Sequence, residues 1–243
     1  MNGYYGGGYY GGYGYGLSLS WTYLLVVIGV IICLVASYRM RTTFRKYSRV
    51  RSMTGMTGAQ AAERILFESG IYDVRIGHVS GDLTDHYDPR SKTLNLSDTV
   101  YGSTSVAAVG VAAHECGHAI QHQQHYVPLR IRGAFVPVAN FGSTISWPLI
   151  IIGLFLRGQF LVTLGIIAFS FSGIFELITL PVEFNASKRA MKNLKRMRIL
   201  SSEELPMTGK VLRAAAMTYV ASAASGILQL LRLIILFGGG KRR

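Results

Sequence analysis

The sequence predicts a mainly α membrane protein, with three or four transmembrane helices and a small α+β domain. Three observations lead there. Half of the 243 residues are hydrophobic and only 15% are charged, against about 25% charged in an ordinary soluble domain. Apolar runs long enough to cross roughly 30 Å of hydrocarbon recur along the chain. The 25 Lys and Arg residues, which give a net charge of +13, crowd beside those runs. That is the pattern of loops held on the cytoplasmic side of a bilayer rather than the basic face of a nucleic-acid binder. A lipid bilayer is therefore an expected partner and nucleic acid is not. The two cysteines, Cys33 and Cys116, make no disulfide framework.

Residues 1–16 are a Gly/Tyr-rich tract without a charged side chain. Such a tract cannot build a core and is expected to be a disordered tail. Residues 17–38 make the first transmembrane helix. Basic residues follow this run, as RMRTTFRKYSRVR, and none precede it. It therefore reads as an uncleaved anchor, with the N-terminus outside and the basic segment in the cytoplasm.

Residues 39–134 read as a cytosolic domain. Thr57 can cap a helix over 59–69 that Gly70 ends. Segments 74–79, 83–87 and 93–96 are β-rich, with turn signals at Gly81 and at 88–91. They predict a small sheet with a hairpin in it, and the 93–96 strand could align an extended substrate by strand addition. Ser103 or Ser105 caps a helix that runs to about Gln124, and Pro128 marks its exit.

Residues 135–181 form a transmembrane hairpin, with apolar runs over 136–156 and 160–180 and a polar break at Arg157-Gly158-Gln159. Residues 182–210 return to the side of the domain as a new helix, starting near Glu183, and a basic segment. Residues 211–237 are Ala-rich and then Leu/Ile-rich, interrupted by Arg213 and Arg232. If they span, the basic C-terminus at 238–243 lies outside, against the positive-inside tendency. The sequence leaves that crossing, and the side of the C-terminus, open.

The chemistry-bearing stretch is AAHECGHAIQH, residues 112–122. On a helix His114 and His118 lie about 40° apart, so both rings can meet one ion, while Glu115 can reach a water on it without occupying a ligand position. This is the arrangement of H-E-x-x-H zinc sites, and it makes the domain zincin-like. Cys116 points about 200° away from His114 and reads as packing. A catalytic zinc takes three protein ligands and leaves one position for water. His122 lies one turn further on the same helix and would have to double back. His125 lacks the glycine turn that the longer three-histidine motif uses. His78 and His86 fall in the strand region. The favoured third ligand is Glu183, just past the hairpin that returns to the same membrane surface. Its rival is Glu176, an ionisable residue within an apolar run and so a functional suspect.

These residues predict one Zn²⁺ per chain on His114, His118 and Glu183, with Glu115 as general base. His86, His122, Tyr126 and Tyr219 can each donate to an oxyanion, and the sequence does not choose among them.

VAAHECGHAIQHQ, then a membrane hairpin, then TLPVEFNASKRA, together resemble the neutral zinc metallopeptidases of bacterial membranes, the YugP-like family. TYVASAASGILQLLRLI, residues 218–234, resembles that family's C-terminal segment, and the resemblance extends over 17–237. More distantly the layout is similar to the HtpX-like and prenyl-protein proteases, which share an HExxH helix and a later glutamate ligand. In those relatives an aspartate stands four residues after the glutamate and supports a ligand. Here that position is Ser187, so the supporting groups differ. The resemblance implies a multi-pass zinc-dependent metalloendopeptidase of the cell membrane that cuts a protein or peptide substrate. Membrane-proximal substrates are expected, because both ligand helices adjoin spans. The alternative class is a membrane scaffold or chaperone-like protein that binds zinc without cutting. Substrate, cleavage specificity and oligomeric state are not set by the sequence.

Overall fold

The computed structural model describes residues 21–237. The Gly/Tyr tail, the first residues of the anchor and the basic C-terminus lie outside them. Helix α1 spans Tyr23–Tyr47, α2 Gly58–Glu68, α3 Val106–Gln123, α4 Val127–Phe155, α5 Gln159–Arg196 and α6 Glu204–Phe237. Three short strands stand between α2 and α3: β1 (Arg75–Val79), β2 (His86–Asp88) and β3 (Thr93–Ser97).

Four of the helices, α1, α4, α5 and α6, are long and apolar enough to cross a membrane. Their large side chains face outward: Phe155 is 88% exposed, Phe160 75% and Leu34 64%. This reverses the pattern of a water-soluble surface and fits a hydrocarbon solvent. Small residues set the spacing inside the α4–α5 hairpin. A Cβ on Gly142 would stand 2.5 Å from the Ala168 carbonyl oxygen, and one on Gly165 would stand 2.6 Å from the Ile150 side chain. Backbones that close gain packing that bulkier residues would prevent. The hairpin turns at Arg157, whose φ is +52°.

The small domain has the opposite logic. Ala61, Ala62 and Ile65 of α2, Leu94 and Leu96 of β3 and much of α3 form one buried core, closed by Ala190 and Leu194 of α5 and by Val211 and Leu212 of α6. Thr57 caps α2 through the Gln60 N–H, and the Gln60 side chain accepts from the Thr57 N–H in return. Ser105, not Ser103, caps α3 by accepting from the Ala108 N–H at 3.1 Å. These bonds satisfy amides that a helix start otherwise leaves without partners.

The sheet has the order β1-β3-β2, with β1 parallel and β2 antiparallel to β3. The β2–β3 hairpin fulfils the expected turn: the Asp88 carboxylate accepts from the Arg90 and Ser91 N–H groups. Two expectations need correction. The middle strand is His86–Asp88 rather than 83–87, because Leu83 turns at φ +57° and the Asp85 side chain leaves the ladder to accept from the Ser97 N–H at 2.8 Å. Strand β3 is central, paired on both sides, so it cannot receive a substrate strand; β2 is an edge.

The helices also run further than the apolar periods imply. The anchor continues through its basic segment to Tyr47, and α4 begins at Val127 with Pro137 and Pro148 inside it. No new helix starts near Glu183. Pro181 lies within a single helix of 38 residues, so the third span and the segment bearing Glu183 are one rod.

Candidate metal centre

Helix α3 lies buried along most of its length, between the sheet, α2, α5 and α6. Its four-residue spacing places the His114 and His118 rings edge to face, 4.8 Å between centroids. Helix α5 crosses it where both backbones are bare: a Cβ on Gly117 would stand 2.5 Å from the Ala186 carbonyl oxygen. One turn before Ala186, Glu183 is 2% exposed. Its Oε2 stands 3.2 Å from His114 Nε2 and 3.6 Å from His118 Nε2. These three residues form a group able to hold a metal ion, with one ligand atom from each and all three within 4.8 Å of one another.

The donor set fits zinc. Imidazole nitrogen and carboxylate oxygen bind Zn²⁺ at about 2.0–2.2 Å in tetrahedral sites, which spaces ligand atoms by roughly 3.3 Å. The two distances to Glu183 bracket that spacing. Each imidazole is oriented from its far side. His118 Nδ1 pairs with Gln121 Oε1 at 3.0 Å, and His114 Nδ1 with Ser187 Oγ at 3.1 Å. An Nδ1–H engaged in this way leaves the Nε2 lone pair facing the site. Gln121 is fully buried, and its amide donates to the Val182 carbonyl at 2.8 Å and to Asn185 Oδ1 at 3.0 Å. One glutamine thus ties the ring of α3 to the backbone of α5.

Burial opposes charge on His118. Its hydrogen bond to Glu183 and the negative charges of Glu115 and Glu183 outweigh that and raise its pKa above the ordinary histidine value. The carboxylates of Glu115 and Glu183 thus favour positive charge at this ring.

A cleft of about 570 Å³ opens onto the site. Glu115, His118, Glu183, Arg132 and Tyr219 line it, as do Asp85, His86, Tyr87, His122 and His125. A smaller cavity of about 120 Å³ borders the same centre and shares Asp85, Glu115, Glu183 and Tyr219.

The residues singled out from the sequence are distributed as follows. Ser187 lies against His114, and Tyr219 faces both cavities. The His86 ring is held between the Thr84 carbonyl and Asn95. His122 shares a 2.9 Å bond with the Tyr87 hydroxyl, whose pKa is pushed up to about 12 by burial and then by Asp73 and Asp88. Tyr126 sits outside the cleft with Arg189 over its ring at 5.7 Å. Glu176 lies two turns back along α5, accepts from the Ser222 hydroxyl at 2.9 Å and is not in the metal-capable group. His78 pairs with Asp98, and Cys116 is fully buried against Ala62.

Two residues went unnoticed in the sequence. Gln121 follows His118 by one helical turn, a spacing that helical periodicity could have flagged. Arg132, whose Nη1 stands 3.5 Å from Glu183 Oε1, looks in the sequence like one more positive-inside cation.

The fold and this donor set define a membrane protein with a His/His/Glu site able to hold a metal ion. The chain belongs to the family described as "Putative neutral zinc metallopeptidase", whose model matches residues 22–238. It is 45% identical over 207 residues to a protein of Bacillus subtilis (strain 168) named "Putative membrane protease YugP", covering 85% of this chain and 92% of that protein. No solved structure matches it.

Proposed function

We propose that the chain is a zinc-dependent metalloendopeptidase that hydrolyses peptide bonds at the membrane surface, with one Zn²⁺ held by His114, His118 and Glu183. The observation that carries this reading is the convergence of Glu183 Oε2 on both Nε2 atoms, with Glu115 lining the same cleft. When bound, zinc supplies an acidified water and a Lewis acid for the peptide carbonyl.

The protein's own groups do the rest. Glu115, 8% exposed beside the ligand pair, takes a proton from the attacking water as its oxygen bonds to the carbonyl carbon. It then gives that proton to the amide nitrogen as the C–N bond breaks. Gln121 and Ser187 hold the two imidazoles in the tautomer that presents Nε2. Tyr219 and Arg132, which line the cleft with Glu183, are the donors best placed for the oxyanion, ahead of His86 and His122, whose rings are engaged by Thr84, Asn95 and Tyr87. An extended substrate pairs with the edge of β2, whose His86 and Tyr87 line the cleft.

The same reading places the small domain on the cytoplasmic side. The basic segment of α1 and the one at the end of α5 both lie at its level, and cations of that kind stay inside. With four spans the N-terminus and the C-terminus are then both outside. Substrates are membrane-proximal proteins or peptides, since α5 carries a ligand directly out of a span.

Glu115→Gln tests the reading. Zinc content should match that of the parent, while cleavage of a fluorescent casein should fall by about 10²–10⁴. A variant that cuts as fast as the parent would remove Glu115 from the mechanism.

A further inference from the structure

Among the described residues, a cavity larger than the cleft at the metal centre lies elsewhere. A groove of about 720 Å³ runs between α1 and α6, on the face of α6 opposite Tyr219. At its outer end the walls are aliphatic: Ile31, Ile32 and Val35 from α1 face Val220 and Ala224 from α6. Just beyond this end the two helices touch where Gly29 allows it, since a Cβ there would stand 2.7 Å from Ser225 Oγ. At the other end the walls turn cationic. Arg39 and Lys46 on α1 face Lys210 and Arg213 on α6. All four are exposed, and none is in an ion pair with a carboxylate among the described residues. From Ile31 to Lys46 the groove is about 22 Å long at 1.5 Å per residue. That reaches from the headgroup layer through one leaflet of hydrocarbon, about 15 Å.

We infer that this groove binds one anionic phospholipid, its phosphate among Arg39, Lys46, Lys210 and Arg213 and an acyl chain along the α1–α6 seam. The two ends of the groove match the two ends of such a molecule, and no other occupant meets both. A free phosphate would leave the aliphatic end empty, and a zwitterionic lipid would bring its own cationic group in among the four cations. Basic pockets between membrane helices on the cytoplasmic side select anionic headgroups for this reason. A helix from a partner would need an acidic residue at the headgroup level, and α1 and α6 already touch at Gly29 and Ser225 just past the aliphatic end. The assignment does not depend on the metal site, because the lining stripe 210, 213, 214, 217, 221 and 224 lies on a different face of α6 from Leu212, Ala216 and Tyr219.

The test uses the full chain in detergent with phosphatidylglycerol and phosphatidylcholine of identical acyl chains, and intact-complex mass spectrometry to count retained lipid. The parent should retain phosphatidylglycerol about tenfold or more over phosphatidylcholine. Arg39→Gln/Arg213→Gln should abolish the preference. Arg49→Gln/Arg196→Gln, which removes the same charge away from the groove, should keep it. Val35→Trp, which fills the aliphatic end and leaves every cation, should lose lipid of both kinds. The inference is overturned if the Arg39/Arg213 variant selects as the parent does, or if the two double variants lose selectivity equally. It is also overturned if inorganic phosphate displaces the lipid, or if Val35→Trp retains it undiminished.

Discussion

Glu183 Oε2 stands 3.2 Å from His114 Nε2, although 69 residues separate the two in the chain. Two features of the backbone produce that contact. The α4–α5 hairpin returns the chain to its starting side, and Gly117 lets α5 approach α3 until the Ala186 carbonyl fills the space a side chain would take. Several consequences can be measured.

Glu183→Ala should lose bound zinc, whereas Glu176→Ala should keep it, because the Glu176 carboxylate is occupied by Ser222 away from the histidines. Metal analysis of the two purified variants decides this. Zinc retained by the first and lost by the second would transfer the ligand role to Glu176.

Gln121→Leu should weaken zinc affinity by about 10- to 100-fold, the usual effect of removing the partner of a ligating imidazole. The same change leaves the buried His118 Nδ1–H without an acceptor, so the folded state should also lose about 1–3 kcal/mol. Competition with a zinc chelator and a urea titration separate the two effects. Gln121→Glu restores an acceptor for His118 Nδ1 and should recover part of the affinity.

Gly117→Val should destabilise the protein by about 1–3 kcal/mol or more, since the added carbons meet backbone and not a side chain that can swing away. Gly133→Val is the control, because a Cβ there meets nothing within 4 Å. Thermal unfolding in detergent should rank Gly117→Val far below both the parent and the control.

Acidity should act on the site through His118, whose pKa is raised. In the metal-free protein a raised value means that the folded state favours the proton. The stabilisation is full below the unfolded value of about 6.5 and is lost as pH rises through the higher folded one. Zinc uptake has the opposite sign: the ring must shed its proton, so affinity climbs through the same interval. Zinc titrations between about pH 6 and 9, paired with urea midpoints of the metal-free chain, should show the two trends crossing. Affinity that is flat with pH would mean that His118 is not a ligand.

Arg132→Ala should slow cleavage more than it lowers zinc content if the guanidinium faces the reacting carbonyl, since it stands against the outer oxygen of Glu183 rather than the one that faces the histidines. Arg132→Lys, which keeps the charge but not the fork, should restore only part of the rate. Equal losses of metal and rate would show that Arg132 acts only by holding Glu183.

The parts of this molecule legible in the sequence are those governed by short-range rules. Apolar runs show the spans, Thr57 and the Ser103/Ser105 pair show helix starts, and the four-residue spacing puts His114 and His118 on one face. The parts that were not legible depend on neighbours far along the chain. Asp85 reads as a strand residue, yet its carboxylate serves Ser97 and cuts β2 short. Gln121 reads as one more polar residue near a helix end until Val182 arrives beside it. Pro181 reads as a stop, because in water it ends a helix cheaply. Beside a bilayer, ending the helix would leave several amide groups without partners, and the single bond that proline omits costs less.

That continuous α5 makes the carboxylate of Glu183 the far arm of a lever whose other arm is immersed in lipid. A rod of 38 residues is about 57 Å long, and helices answer a bilayer of the wrong thickness by leaning. Reconstitution in lipids of graded chain length should therefore detune the centre at both extremes and leave an optimum between them, making the protein a gauge of membrane depth.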